Sequence, residues 1–211
     1  MNILIIGATR GIGYQLLEYA LSKDHKVTTL VRDPNKLEIL LENENLDVIK
    51  GDILDYGSVR KAVKGKDTVL TCVGVNITRK PVDVFSRGIK NVIKAMEDRD
   101  VSTLISVTGI GAGNSKGHGG FLYDKIFNPL FLKTIYEDKD REEELIKSSE
   151  LDWIIVRPGF LTNGTMCGKY RVITDLNGIK SGKISRNDVA HFLLEQAVTP
   201  EYVRQTPLIC Y

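Results

Sequence analysis

Apolar positions along the chain fall into short continuous runs separated by stretches with helical spacing. The runs occupy residues 3–6, 27–31, 46–49, 68–73, 104–107 and 154–156, and they are rich in Val, Ile and Leu. A half-solvated strand alternates apolar and polar residues, so a continuous run predicts a strand covered on both faces. Between the runs, residues 15–22, 36–41, 58–63, 84–96 and 138–149 carry apolar side chains at helical intervals. Strand and helix therefore alternate. This predicts an α/β fold: one doubly wound, mostly parallel sheet, with right-handed crossovers and helices on both faces. The expected strand order is 3-2-1-4-5-6, with a short further strand near residues 206–210. Residues 168–174 and 183–185 are expected as short strands or loops beside a pocket.

Several boundaries have a local cause. Asp33-Pro34 reads as an N-cap followed by proline in the first helical turn. Asp55-Tyr56-Gly57-Ser58 reads as a turn and a capping serine. Asn187-Asp188 is placed to cap a last helix over 189–198, which Pro200 stops. Pro158 ends the sixth strand, because proline cannot continue a central ladder. Residues 109–121 resist the pattern: beyond Gly109 they hold Gly111, Gly113, Gly117, Gly119 and Gly120, with His118 among them. A loop this long is either functional or disordered. It follows the fifth strand at its carboxyl end, where open α/β sheets bind ligands. A mobile lid or substrate wall and a plain surface loop both remain open.

Composition adds bounds. With 211 residues, 42% hydrophobic and 27% charged, the chain is read as a single domain over 1–211 that buries its own core. A net charge of +2 points to neither nucleic acid nor an anionic membrane as partner, although a local patch stays open. Cys72, Cys167 and Cys210 show no paired spacing, so a disulfide framework and a zinc site are not expected. The apolar start ends at Gly7, too short for a signal peptide or a membrane span. A cytoplasmic protein is expected.

The chemistry-bearing motif is Gly7-Ala8-Thr9-Arg10-Gly11-Ile12-Gly13, directly after the first strand and opening a helix. Gly7 allows the turn out of the strand, Gly11 lets backbone approach a pyrophosphate, and Gly13 lets the helix pack on the sheet. Thr9 and Ile12 lie within the same turn. The helix N-terminus then offers free N–H groups to phosphate. A dinucleotide site follows. An NAD enzyme usually ends its second strand with Asp or Glu to bond the ribose hydroxyls. Here that strand ends in Arg32, and Arg10 sits in the glycine turn. Guanidinium groups hold phosphate in a bidentate fork, so the expected cofactor is NADPH/NADP. Asp52 and Ile53 after the third strand, and Cys72, Val73 and Gly74 after the fourth, are placed to line the cofactor. Asp52 is either an adenine contact or a turn residue.

On these residues the sequence resembles the short-chain dehydrogenase/reductase superfamily. It is most similar to the atypical, NmrA-like branch that includes biliverdin-IXβ reductase, also called flavin reductase. The likeness spans nearly the whole chain. It rests on residues 7–13, 30–33, 51–55, Val107-Thr108, 152–160 and 184–190. The resemblance implies a Rossmann-like fold, NADPH binding, and reduction of flavins or tetrapyrroles, with some members that only sense the cofactor. Ordinary superfamily members carry a Tyr-x-x-x-Lys pair. Here Tyr136 is followed four residues later by Asp140, and Ile135 precedes Lys139 at that spacing, so the pair is broken. Tyr19-x-x-x-Lys23 has the spacing but lies in the first helix, and it reads as coincidence. The branch's serine near the end of the fifth strand is matched by Thr108, and its pocket histidines by Lys139 and Phe160.

The nicotinamide carries out hydride transfer, while the protein orients it and excludes water. Thr108 is placed to hydrogen-bond the nicotinamide amide or the substrate, and Lys139 the nicotinamide ribose. Lys139 also reads as a solvated charge in its run of charged residues. Pro158 and Gly159 are expected to shape the nicotinamide pocket, and Phe160 and His118 to face the substrate. His25 and His191 read as structural. No metal site is expected. The preferred reading is an NADPH-dependent reductase of a flat aromatic acceptor such as a flavin or quinone, with a small-molecule substrate as the partner and the monomer favoured over a homodimer. A non-catalytic NADP(H) sensor and a nucleotide-sugar epimerase or dehydratase are the rivals. The substrate side is expected around 109–136 and 158–186.

Overall fold

Along the first strand, β1 (Asn2–Ile6), successive side chains go to opposite cores. Ile3 and Ile5 enter one apolar cluster, and Leu4 and Ile6 enter another. All four are buried, which is why the strand is continuously apolar. The computed structural model describes residues 1–211, apart from the side chains of Glu38 and Ile39. On the first core lie α1 (Gly11–Ser22) and α5 (Arg186–Val198). On the second lie α2 (Tyr56–Val63) and α3 (Val84–Glu97), with α4 (Lys133–Lys147) beside α3.

The remaining strands of the parallel core are β2 (Lys26–Val31), β3 (Leu46–Lys50), β4 (Thr68–Thr71), β5 (Thr103–Val107) and β6 (Asp152–Pro158). Three-residue strands follow: β7 (Phe160–Thr162), β8 (Arg171–Ile173), β9 (Lys183–Ser185) and β10 (Leu208–Cys210). The eight-stranded sheet runs β3-β2-β1-β4-β5-β6-β10-β8. Every pair in it is parallel except β10 with β8, and β7 pairs with β9 separately. This is the expected doubly wound α/β fold in a single domain. The order reverses between β1 and β4, and a crevice opens there at the carboxyl ends of the strands.

Some boundaries differ from expectation, each for a local reason. The segment Pro34–Glu42 is a 3₁₀ helix, capped as predicted by Asp33, whose carboxylate accepts from Asn35 N at 3.3 Å. Helix α2 begins at Tyr56, because Asp55 is the cap and accepts from Ser58 N at 2.9 Å. Helix α5 begins at Arg186, capped by Ser185, whose hydroxyl accepts from Asp188 N at 2.9 Å. The glycine-rich stretch is neither a free loop nor wholly a pocket wall. Gly113 N donates to Asp140 at 2.8 Å, and Ser115 is buried. It leads into a π-helical segment, Tyr123–Leu132, whose backbone hydrogen bonds span five residues.

Candidate active site

A cleft of about 1730 Å³ runs along the carboxyl ends of β1 to β6. Single-ligand pockets are usually ~300–1,000 Å³, so this one has room for a dinucleotide and a second molecule.

The glycine turn is built as its sequence predicts. Gly7 has φ +93°, and a Cβ there would lie 2.7 Å from the Cys72 carbonyl. A Cβ on Gly13 would lie 2.2 Å from the Gly7 carbonyl oxygen, so Gly13 packs helix on strand and does not line the cleft. Gly11, at φ +60°, is different: its missing Cβ would meet nothing nearer than Arg186 Nε at 3.8 Å. Its backbone faces open cleft. The cap residue of α1, Arg10, makes no side-chain cap hydrogen bond, which leaves the first-turn amides for an anion. A pyrophosphate fits this cradle.

Thr9, Ile12, Arg32, Asp52, Ile53, Val73 and Gly74 all line the same cleft. Asp52 accepts from Leu54 N at 2.9 Å, so it is at least a turn residue. Arg10 and Arg32 do not act as a simple pair. The Arg10 guanidinium donates to Gly74 O at 3.2 Å and Asn76 Oδ1 at 2.8 Å, reaching toward the end of β4. After β2 the cleft is lined by Arg32, Asp33 and Lys36, with one Asp33 oxygen engaged as a cap. Arg186, which the sequence reading did not single out, lines the cleft beside Gly11. Its Nη1 donates to Asn163 Oδ1 at 2.6 Å. The Cys72 thiol is pushed up to about 12 by burial, partly offset by Lys139, so it is an inert wall.

The catalytic candidates meet at the ends of β5 and β6. Lys139 is not a solvated charge. Its Nζ donates to Val107 O at 3.0 Å and Glu142 Oε2 at 2.8 Å, 3.9 Å from the Phe85 ring centroid. Glu142 also accepts from Ser106 at 2.9 Å, and Thr71 donates to Ser106 at 2.7 Å. Thr108 donates to Glu143 Oε1 at 2.9 Å. Burial would raise the Glu143 carboxyl, but hydrogen bonds and charge from Arg157 and Lys147 hold it below its ordinary value. Arg157 grips Glu143 through Nε and Nη2 and is fully buried. Its Nη1 also donates to Asn114, fastening the glycine-rich stretch.

Tyr136 is the residue the broken motif concealed. It lines the cleft with Lys139, three residues along the same helix. Neighbours three and four apart share a helix face, so the contraction keeps the pair together. Tyr123 donates to Ile110 O at 2.9 Å, so the 3.0 Å contact between the hydroxyls has Tyr136 donating to Tyr123. Burial, then Tyr123, pushes Tyr136 well above the usual phenol value, and it stays protonated.

Pro158, Gly159 and Phe160 line the cleft as expected. Phe160 meets Tyr123 edge to face at 5.0 Å, and Phe127 adds a further ring to the wall. His118 does not join them. Its Nδ1 lies 2.8 Å from Ile179 O, and Ser181 N donates to its carbonyl, so it ties its loop to residues 179–181 away from the cleft wall. His191 bonds Tyr170 and His25 faces the N-terminus, both structural as expected. Among the described residues no group of three or more His, Cys, Asp or Glu side chains is arranged to hold a metal.

The glycine cradle at the switch point of a doubly wound sheet defines a dinucleotide-binding protein of the short-chain dehydrogenase type. Comparison with known proteins agrees. The chain belongs to the NAD(P)H-binding family, whose model matches residues 7–200. The fold superposes on ChuY, an anaerobilin reductase of Escherichia coli O157:H7, with a TM-score of 0.85 and 25% identity, covering 100% of this chain and 97% of that one. A short-chain dehydrogenase/reductase of Veillonella parvula in complex with NADP shares the fold at TM-score 0.84 and 17% identity, over 100% and 94% of the two chains. The uncharacterized sugar epimerase YhfK of Bacillus subtilis is 26% identical over 90% of this chain and 85% of its own length.

Proposed function

We propose that this protein is an NADPH-dependent reductase that transfers hydride to a flat aromatic acceptor, with a flavin or quinone as the leading class. The observation that carries the reading is the continuity of the cleft. It passes from the glycine cradle, beside Thr108 and Lys139, into a wall of Tyr123, Phe127, Tyr136 and Phe160. Aromatic side chains favour offset or edge-on contact with a planar ring. NAD(P)H, when bound, supplies the hydride. Gly7, Gly11 and the α1 amides hold the pyrophosphate, and Arg186 adds charge there. Arg32 and Lys36 favour the 2′-phosphate, two cations against the single carboxylate of Asp33, which caps the next helix through one oxygen. Lys139 holds a ribose hydroxyl, and Thr108 orients the amide or the acceptor. For the acceptor to receive a proton from Tyr136, the hydroxyl must turn from Tyr123 toward it. The likeness to an anaerobilin reductase supports a reductase acting on an extended conjugated substrate.

Turnover of NADPH with FMN, a soluble quinone and biliverdin, followed by loss of nicotinamide absorbance, tests the reading. No turnover with any of the three refutes it. The likeness to YhfK favours a second reading, a sugar epimerase. That enzyme would interconvert a nucleotide sugar with no net consumption of cofactor. We infer a cytoplasmic location and a monomer. No described helix is long and apolar enough to cross a membrane.

A further inference from the structure

The π-helical segment Tyr123–Leu132 and its approach are apolar on both sides. The inner side gives Tyr123, Phe127 and Leu132 to the cleft. The outer side shows Phe121 at 74% exposure, Leu122 at 71%, Leu130 at 53% and Ile126 at 45%. Asp124, Lys125 and Asn128 interrupt the segment, but exposed apolar side chains clustered in this way ordinarily mark a protein or membrane contact. Here nothing in the chain covers the outer side.

Its rim is cationic. Lys125 and Lys133 project from the same stretch and are exposed. Arg79 lies 5.3 Å from the Phe131 ring centroid and donates to Leu130 O at 3.2 Å, with exposed Lys80 beside it. Two carboxylates stand nearby. Asp124 is turned back to accept from Gly119 N at 3.3 Å, and Glu137 lies 3.9 Å from Lys133. Apolar side chains bordered by Lys and Arg match the boundary between acyl chains and anionic headgroups. A second copy of the chain matches less well. One helix of about twelve residues offers a footprint of roughly 200 Å², while a stable dimer needs ~800 Å² per partner.

We propose that the outer face of residues 121–133 docks on an anionic lipid surface, burying Phe121, Leu122, Ile126 and Leu130 among the acyl chains and setting Arg79, Lys80, Lys125 and Lys133 against the headgroups. The net charge of +2 gave no sign of this, because the patch is local. Docking sets one wall of the cleft at the membrane surface. The inference stands on exposure and charge and does not depend on which acceptor is reduced.

The test is sedimentation of the full chain with phosphatidylcholine vesicles, with and without 30 mol% phosphatidylglycerol, at low and high salt. The expected result is at least fivefold more protein on the anionic vesicles, reduced by high salt. Leu122→Glu/Leu130→Glu should abolish binding, and Lys125→Glu/Lys133→Glu should weaken it. Neither pair lines the cleft, and thermal melting of each variant checks that it folds. Equal sedimentation with both vesicles, or none, overturns the proposal, as does wild-type binding by the Leu122→Glu/Leu130→Glu variant. A dimer in analytical ultracentrifugation that this variant dissociates also overturns it, by giving the face to a second copy.

Discussion

The Thr108 hydroxyl donates its only proton to Glu143, 2.9 Å away, and so faces the cleft as an acceptor. The direction is fixed from below. Glu143 is gripped by Arg157, paired with Lys147 and held ionised, so it has no proton to give back. Whatever meets Thr108 must bring an N–H or O–H. A carboxamide does, and so does the N–H edge of a flavin. A quinone carbonyl does not. Thr108→Val removes that acceptor and should lower kcat/KM about 10- to 100-fold, the range of one buried hydrogen bond. Thr108→Ser should stay within about threefold. Equal activity of the valine variant would show that nothing bonds Thr108.

The tyrosine pair separates acceptor classes. A quinone oxygen needs a proton as hydride arrives, and general acids typically contribute ~10²–10⁴-fold. A flavin takes protons at ring nitrogens from solvent. Tyr136→Phe should therefore slow quinone reduction by about 10²-fold and leave FMN reduction within about threefold. A fall of the same size with both acceptors would assign Tyr136 to positioning the cofactor.

The legible part of this molecule was local in sequence. The six continuous apolar runs each became a strand, with only the edge strand β3 left partly exposed, and the doubly wound pattern supplied their order. The glycine turn was legible because its chemistry lies within seven residues. What escaped depends on contacts across the fold. Tyr136 was set aside because its lysine stands three residues on, although a helix brings both spacings to one face. Lys139 read equally as a ribose contact and as a solvated charge, and only the buried chain of Val107 O, Glu142, Ser106 and Thr71 around it rules out the second. Arg186 is far in sequence from Gly11, and only the packing of α5 against α1 brings them together. His118 carried the right chemistry in a glycine-rich stretch, but its ring is spent on Ile179.

On the proposed reading, cofactor choice rests on Arg32 and Lys36, which line the cleft after β2. Arg32→Asp places a carboxylate where the ribose 2′ position is expected, repelling a phosphate and accepting from a hydroxyl. The expected result is a loss of about 10- to 100-fold in NADPH affinity, worth ~1.4–2.7 kcal/mol, with NADH binding unchanged or improved. Nucleotide titration by intrinsic fluorescence or calorimetry measures this. Unchanged preference would move the phosphate site to other cations.

Arg157 should be the costliest single position in the core. It is fully buried against Glu143 and also holds Asn114. Breaking a buried pair costs about 3–5 kcal/mol, an upper bound here because Glu143 keeps Lys147 and Thr108. Arg157→Met should lower the denaturation free energy by up to that amount, and Glu143→Gln in the same background should recover part of it. No recovery in the double variant would mean that the loss comes from Asn114 and the glycine-rich stretch.

Acid stability should trace to Asp188. Burial would raise its carboxyl, but Tyr211, the Gly168 and Cys167 amides and Ser185 all donate to it and hold it at about 2, below an ordinary 3.8. A carboxyl depressed on folding contributes stability that is complete above its unfolded value and is lost as pH falls through the folded one. The contribution of Asp188 is therefore full above pH 4 and fades toward pH 2. Asp188→Asn removes the titration along with the charge. The variant should be less stable than wild type at pH 7, where the charged acceptor is lost, and the gap should narrow as pH drops from 4 to 2. Urea denaturation at pH 7, 4, 3 and 2 measures both stabilities. A gap that stays constant across that range would place the acid sensitivity elsewhere, with Glu143 the next carboxylate to test.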